Sequence, residues 1–406
     1  MAPDRRILPS VLLLILSALG FLVSLLAAAG TLWGYFRLDM EIASRAEQIL
    51  LATGGMLFLL VTLLHVPTII FTLMDLFRKD ISFVFPSLFT PANISIGIWV
   101  LAIAGGTYLS GRNGSPAILA FLTILGTAIP IVWLVEFNRR KLPRSTPLRE
   151  WGTLSIGLTA APFLIMLVEI MIVIIVVIVV IFTAGMQPGF MESIRPLLEE
   201  APQTSGSIEE MEQMLYEIAQ NPVIAGAIFF VIGLVAPAVE EIFKPMAVWF
   251  LMRHPIKPHE GFSLGMISGG AFALLESAGL VSQISAENWL PAVSLRAATG
   301  MLHIGLSGLV GYGFAKSWND KRYARSLLFV LAAAALHGAW NSLALVNGFS
   351  TSALSPAAES MAPSIAGGVS IGLMAAVFFV IVYITQRINF DLRVQQVEAG
   401  KEKTGD

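Results

Sequence analysis

The hydrophobic positions of this chain fall into long runs that short polar segments separate. Crossing the hydrocarbon core of a bilayer takes about 20 mostly apolar residues. By this measure the fold class is all-α, a polytopic transmembrane bundle of about ten helices. The predicted spans lie near 8–29, 49–74, 92–110, 117–136, 153–184, 222–252, 261–284, 293–315, 326–347 and 365–386.

The polar segments between these runs predict the orientation of the chain. Lys and Arg favour cytoplasmic loops, and here they collect after the fourth run, between the sixth and seventh, and after the eighth. If the N-terminus is cytoplasmic, all three loops lie on the cytoplasmic side, and so does the C-terminus. The segment 186–221, rich in glutamate, is then an extracytoplasmic loop. The basic residues concerned are Arg139, Arg140, Lys141, Arg144, Arg149, Arg253, Lys257, Lys316, Lys321, Arg322 and Arg325.

The composition supports lipid as the solvent of this chain. Hydrophobic residues make up 56% and charged residues 13%, whereas soluble domains carry about a quarter charged residues. The net charge of -2 gives no sign of a nucleic-acid partner. The absence of cysteine excludes thiolate metal ligands and a cysteine nucleophile. We therefore expect an integral multi-pass membrane protein whose direct partner is the lipid bilayer.

Ionisable residues within the apolar runs are the strongest functional signal. An ionisable side chain near the bilayer centre costs at least a few kcal/mol, so each one needs a reason. The second half of the chain concentrates them on four successive predicted helices. They are Glu240, Glu241 and Lys244 on the sixth, Glu276 on the seventh, His303 on the eighth, and His337 with Asn341 on the ninth.

The two adjacent glutamates indicate acid–base chemistry. Glu240 and Lys244 are four residues apart and share one helix face. Two neighbouring carboxylates in a low dielectric do not readily both ionise, so we expect one to hold a proton near neutral pH. Glu241 is favoured as the base over Glu240, because Glu240 has the better spacing to pair with Lys244; both alternatives stay open.

Prolines flank this pair. Pro237 cannot donate to the carbonyl of Gly233, and Pro245 cannot donate to that of Glu241. Bare carbonyls at membrane depth persist only where protein or trapped water satisfies them. The pattern predicts that the sixth helix is kinked around a hydrated pocket.

The seventh predicted helix carries a row of small residues. Such a row lets neighbouring backbones approach closely. Because Phe272 and Glu276 occupy the adjacent row, close packing could aim Glu276 at the sixth helix. The row consists of Gly261, Gly265, Gly269, Ala273 and Ser277.

These residues resemble the motifs of a known family. EEIFK at 240–244 fits EExxK, FALLE at 272–276 fits FxxxE, a histidine helix follows, and HGAWN at 337–341 fits HxxxN. In this order the chain is similar to the PrsW family of intramembrane proteases, which is related to CAAX prenyl proteases and bacteriocin-protection proteins. The resemblance covers Glu240 to Asn341.

The resemblance implies an intramembrane endopeptidase of the prokaryotic plasma membrane. Its substrate would be a membrane protein or peptide, as in site-1 cleavage of an anti-sigma factor, hydrolysed by glutamate-activated water. The catalytic residues carried over by position are Glu240, Glu241, Glu276, His303 and His337, with Lys244, Phe272 and Asn341 in support.

That family has been described both as metallopeptidases and as glutamic peptidases, so the resemblance leaves the metal requirement open. No cofactor is favoured here, because the sequence holds no HExxH motif. In the alternative, zinc would be bound by His303, His337 and Glu276, with Glu241 as the base.

The predicted organisation has five parts, and two other functions compete with proteolysis. The competitors are a non-catalytic scaffold of the same fold and a proton-coupled secondary transporter, although the internal repeat typical of transporters is not evident. The parts are N-terminal helices of unknown role (1–185), the acidic loop (186–221), the protease core (222–347), an outer loop with the last helix (348–390) and a disordered cytoplasmic tail (391–406).

Overall fold

The regular structure of this protein is helical wherever the computed structural model describes it. The described residues are 7–39, 42–79, 93–112, 114–185, 221–251, 256–281, 289–351 and 361–404. Within them, nine helical spans are long and apolar enough to cross a membrane, and Ser95–Ser110 adds a shorter apolar helix. The predicted polytopic helical bundle is confirmed, and the chain is an integral multi-pass membrane protein.

The helices follow the predicted runs, with three additional interruptions. In chain order they are α1 (Ile7–Arg37), α2 (Arg45–Leu76), α3 (Asn93–Ser110), α4 (Pro116–Asn138), α5 (Pro147–Leu158), α6 (Ala160–Gly185), α7 (Pro222–Phe230), a π-helical segment (Val231–Val235), α8 (Ala236–Phe243), α9 (Met246–Leu251), α10 (Pro258–Val281), α11 (Trp289–Asn319), α12 (Arg325–Thr351) and α13 (Met361–Thr404).

The chain forms two compact units. Unit 1 comprises Met1–Phe163, Phe243–Phe329 and Val380–Asp406, and unit 2 comprises Leu164–Ile242 and Val330–Phe379. In unit 1, α1 packs along α2 and α10 along α11, around a core that includes Phe71, Trp151 and Ile267. In unit 2, α7 and α12 pack together, with the rings of Phe229 and Phe349 stacked 6.2 Å apart.

Capping side chains and prolines set several helix starts. Ser44 Oγ accepts from the Glu47 amide at 3.2 Å, which begins α2. Asn221 Oδ1 accepts from the Val223 amide at 2.9 Å at the start of α7, and Pro222 holds the first helical position. Proline is favoured there, because the first-turn amides have no helical acceptor.

The run predicted at 153–184 is two helices, α5 and α6, with the break at Thr159. Pro162 explains the break, because it has no N–H to donate to the carbonyl of Leu158 and its ring crowds the preceding turn. Thr159 Oγ1 turns back to the carbonyl of Ser155 at 2.7 Å.

The predicted disordered tail from Asp391 is wrong over the residues described, because α13 continues to Thr404. Asn389 Nδ2 donates to the carbonyl of Asn138 at 2.8 Å, which ties this helix to the end of α4. Arg387 pairs with Asp391 at 3.3 Å across one turn. A polar composition therefore did not imply disorder here.

Two predicted loops lie largely or partly outside the described residues. The acidic loop, residues 186–221, falls there except for Asn221, and so do residues 352–360 of the outer loop. Their predicted positions outside the membrane stay predictions, as does the orientation of the termini.

The orientation depends on whether α3 crosses the membrane. Its 18 residues span about 27 Å at 1.5 Å per residue, close to the thickness of the hydrocarbon core. The chain lacks cysteine, so Lys79→Cys, Arg112→Cys and Lys141→Cys each carry a single thiol. We expect an impermeant maleimide to label positions 79 and 141 from the cytoplasm and position 112 from outside. Labelling of positions 79 and 112 from one side would contradict a crossing by α3.

Candidate active site

The helix that carries the glutamate pair is interrupted before it reaches them. In the π segment the Ala236 amide bonds the carbonyl of Val231, five residues back. The next bond in this register would join residue 237 to Ile232, but Pro237 has no N–H. Asn341 Nδ2 donates to that carbonyl instead, at 3.1 Å. The carbonyl that needs a partner is thus Ile232, not Gly233 as expected, because the π segment shifts the register by one residue.

Two glycines bring α12 against this segment. A Cβ on Gly338 would lie 2.3 Å from the carbonyl oxygen of Gly233, and one on Gly233 would lie 2.4 Å from Ser342 Oγ. Only glycine allows so close a backbone approach. The second residue of HGAWN therefore brings its neighbours His337 and Asn341 next to the interrupted helix.

In unit 2, His337 connects the two glutamates. Its Nδ1 lies 3.0 Å from Glu241 Oε1, and its Nε2 lies 3.8 Å from Glu240 Oε2. Glu241 is fully buried, whereas Glu240 is 9% exposed. We call these three residues the unit 2 cluster.

The charge state of the glutamates sets the roles of the ring nitrogens. With both carboxylates ionised, rather than one protonated as the sequence suggested, Glu241 only accepts, so Nδ1 carries the hydrogen of a neutral ring. Nε2 then presents a lone pair towards Glu240. At 3.8 Å, Nε2 and the Glu240 oxygen are too far apart for a direct hydrogen bond. A water molecule that donates to both, or a cation, matches this pair of acceptors.

In unit 1 the chain turns at Lys244 and Pro245, where α8 gives way to α9. The Val248 amide bonds the carbonyl of Pro245 at 2.8 Å rather than that of Lys244. Ser268 Oγ of α10 donates to the Lys244 carbonyl. The predicted interruption at Pro245 is present, and a side chain from another helix satisfies one of the carbonyls involved.

The small-residue row of α10 packs against α11. A Cβ on Gly265 would lie 2.2 Å from the carbonyl oxygen of Ser307, and one on Gly269 would lie 2.3 Å from that of His303. The close approach predicted from the row is present. Its main partner is the helix of His303, and Glu276 binds His303 there. The same imidazole contacts Lys244, which belongs to the sixth predicted helix.

This contact creates a chain of charged and polar groups in unit 1. Lys244 Nζ lies 2.7 Å from His303 Nδ1, and His303 Nε2 lies 2.6 Å from Glu276 Oε2. Arg296 reaches the same carboxylate oxygen at 2.7 Å. Lys244 as an ammonium only donates, so His303 Nδ1 accepts its hydrogen bond. His303 Nε2 then carries the ring hydrogen and donates a hydrogen bond to Glu276. These four residues are the unit 1 cluster.

Phe272 forms one wall of the unit 1 cluster. Its ring lies 4.4 Å from Lys244 Nζ and meets the His303 ring edge-on at 5.3 Å between centroids. An aromatic face stabilises a cation in a poorly hydrated setting. The phenylalanine of FALLE therefore supports the lysine of EEIFK.

The predicted site residues thus fall into two groups, one in each unit. Lys244, Phe272, Glu276 and His303 meet in unit 1, and Glu240, Glu241, His337 and Asn341 lie in unit 2. Arg296, which belongs to none of the motifs, also pairs with Glu276. It lies seven residues before His303 and so shares its helix face, a signal that could have identified it.

Comparison with protein families adds an independent finding. A family model described as PrsW family intramembrane metalloprotease matches residues 162–385, more than half of the chain. The chain belongs to the PrsW family. Comparison with curated proteins and with solved structures gave no match. Family membership makes the protein an intramembrane protease, and the matched range contains both clusters.

The family description implies a metal, and unit 2 offers donors that fit one. Glu240 and His337 belong to a group of side chains able to hold a metal ion. Glu241 holds His337 Nδ1 at 3.0 Å, an arrangement typical of metal-bound histidine, in which a carboxylate fixes the tautomer. Glu276 of the predicted zinc set fits less well, because Arg296 and His303 already bind its carboxylate.

The amide of Asn341 can be tested as the partner of the Ile232 carbonyl. We expect Asn341→Leu to lower the free energy of unfolding by about 1–3 kcal/mol, because a carbonyl in a membrane-spanning helix loses its donor. Pro237→Ala should recover part of this loss by returning an N–H at residue 237. The measurement is thermal or denaturant unfolding in detergent across the four-member double-mutant cycle. Strictly additive effects would contradict this pairing.

Proposed function

We propose that this PrsW-family protein hydrolyses a peptide bond of a membrane-anchored polypeptide with water activated by Glu240. The observation that carries the proposal is the unit 2 cluster, in which Glu241 orients His337 and leaves Nε2 facing Glu240 at 3.8 Å. The sequence favoured Glu241 as the base. Glu240 is the better candidate, because it is the more exposed carboxylate and His337 already engages Glu241.

The proposed reaction starts from a water molecule held between Glu240 and His337. Glu240 takes a proton from this water as the oxygen bonds to the carbonyl carbon of the substrate. The carbonyl electron pair moves onto its oxygen, which gives a tetrahedral oxyanion. The oxyanion then re-forms the C=O bond as the C–N bond breaks, and Glu240 returns the proton to the leaving nitrogen. The products are a carboxyl end and an amine end.

We propose that the unit 1 cluster serves the same reaction, with the Lys244 and His303 donors stabilising the oxyanion. Glu276 and Arg296 would hold His303 in its tautomer and would act as positioning residues. The family match supports this assignment, because residues 162–385 contain both clusters. Preorganised donors at a developing oxyanion are a large contribution to peptide hydrolysis.

A divalent metal is the alternative that a specific observation favours, namely the Glu241-oriented imidazole beside Glu240. Glu240 and His337 would hold such an ion, which would act as a Lewis acid that polarises the water or the carbonyl group. Glu241 would keep His337 in the required tautomer. The two mechanisms differ in the role of Glu240, which is the base that activates water in the first and a metal ligand in the second.

The proposed substrate is a single-span regulator such as an anti-sigma factor, in the plasma membrane of a prokaryote. The family supports this choice, because PrsW proteins are associated with site-1 cleavage of such factors. A buried site also favours a substrate that arrives through the bilayer rather than from water.

Neighbouring glutamates provide matched variants for the proposed base. We expect Glu240→Gln to lower the cleavage rate by about 10²–10⁴-fold, because the base is lost. Glu241→Gln keeps an acceptor for His337 Nδ1 and should lower the cleavage rate roughly fivefold. Glu241→Leu removes the acceptor and should lower the rate much more. Quantitative mass spectrometry of membranes would identify polypeptides shortened by the native protein and intact with Glu240→Gln.

Two controls accompany this comparison. Unfolding temperatures show whether each variant folds, and co-purification shows whether Glu240→Gln retains its uncleaved target. If membranes with the native protein and with Glu240→Gln contain polypeptides of the same lengths, the proposed activity is wrong. If Glu241→Gln is inactive while Glu240→Gln cleaves, the base is Glu241.

Metal dependence has its own test. We expect purified protein to keep its cleavage rate after treatment with a strong chelator, because Glu240 alone can activate the water. The readouts are the rate on the substrate identified above and the metal content of the protein. Loss of cleavage that zinc restores, together with bound zinc that Glu240→Gln and His337→Gln abolish, would establish the metal version instead.

A further inference from the structure

A basic pocket lies at the end of α4, outside the residues proposed for catalysis. Its volume is about 80 Å³, enough for a phosphate-sized group, and it belongs entirely to unit 1. The loop that forms it is one of those predicted to be cytoplasmic. Its polar lining consists of Glu136, Arg139, Arg140, Lys141, Arg144 and Ser263.

The charges around this basic pocket do not cancel. Arg139 donates to Glu150 at 2.9 Å and also binds Glu136, and Arg144 binds Glu136 at 2.7 Å. These two arginines and two glutamates balance. Arg140 lies over the Phe137 ring at 4.0 Å and donates to Gln386 at 3.2 Å, and neither partner carries charge. With the exposed Lys141, the pocket has about two positive charges in excess, which favours an anion.

Ser263 gives a second sign of a ligand. Its side chain is 1% exposed and lines the basic pocket. Among the residues that the structure describes, Ser263 Oγ has no hydrogen-bond partner. A buried hydroxyl normally has one, and a phosphate oxygen in the pocket would supply it.

An apolar groove lies along α4 and shares one lining residue, Glu136, with the basic pocket. Its volume is about 270 Å³, and its lining includes Leu64, Ala128, Trp133, Glu136, Ile267 and Leu274. From Ala128 to Glu136 the groove follows α4 for about 12 Å. An apolar groove and a basic pocket that meet at one residue match an amphiphile with an anionic head.

We propose that an anionic phospholipid occupies both cavities, with its phosphate in the basic pocket and an acyl chain in the apolar groove. Basic pockets between membrane helices on the cytoplasmic side suit such headgroups. A free phosphate would leave the groove unused, and a zwitterionic lipid would bring its own cation to an already positive pocket. The bound lipid would contact α10 through Ser263, Ile267 and Leu274, on the helix that carries Glu276.

The test measures lipid binding by the purified full-length protein in neutral detergent. Phosphatidylglycerol and phosphatidylcholine with identical chains are titrated, and binding is read by native mass spectrometry and by the rise in unfolding temperature. We expect phosphatidylglycerol to bind more tightly, and Arg140→Gln/Lys141→Gln to weaken it by roughly fivefold per charge. Ser263→Ala and Ala128→Leu should each weaken it as well, through the headgroup and the chain respectively.

Lys321→Gln/Arg322→Gln is the matched control. It removes two exposed basic residues from another loop predicted to be cytoplasmic, and Lys321 shares with Lys141 a left-handed backbone, with φ of 54° and 62°. The control should bind phosphatidylglycerol like the native protein. Equal binding of the two lipids, an equal loss in the control variant, or full replacement of the lipid effect by inorganic phosphate would each overturn the proposal.

Discussion

A polar group that this protein buries in the membrane needs a partner from the protein or from trapped water, because hydrocarbon offers none. Both clusters show how this requirement is met. One ring nitrogen of His337 bonds Glu241, and the other faces Glu240. His303 stands between Lys244 and Glu276, and Arg296 balances that glutamate. These side-chain partners stabilise the buried charges. They also determine which ring nitrogen of each histidine donates and which accepts, and the proposed chemistry depends on that assignment.

Backbone interruptions make room for these side chains. Pro237 removes a donor from the π segment, and Asn341 of α12 replaces it. At the next interruption Ser268 of α10 serves the carbonyl of Lys244. In both cases a side chain from a helix distant in the sequence serves the carbonyl. Glycines at 233, 265, 269 and 338 allow the close approach that these bonds require.

Much of this arrangement was predictable from the sequence, because it depends on local rules. Apolar run length predicted the spans, and the prolines predicted the interruptions. The motif order predicted which glutamates and histidines matter. The partners were harder, because a small-residue row specifies closeness but not which helix approaches. The row of α10 therefore did not reveal that His303 of α11 lies between Glu276 and Lys244, and Arg296 was missed. The carbonyl that loses its donor at Pro237 is that of Ile232 in the π register, rather than that of Gly233 in the α register. No residue pattern predicts where a π segment forms.

The proposed chemistry depends on the tautomers of His303 and His337, which nitrogen-15 NMR can measure. With ¹⁵N-labelled histidine in the full-length protein in lipid, His337→Gln and His303→Gln assign the two signals. We predict that His337 is neutral with its hydrogen on Nδ1, and that His303 is neutral with its hydrogen on Nε2. Glu241→Leu should change the first signal and leave the second unchanged. The same tautomer in both residues, or a response of His303 alone to Glu241→Leu, would contradict the account.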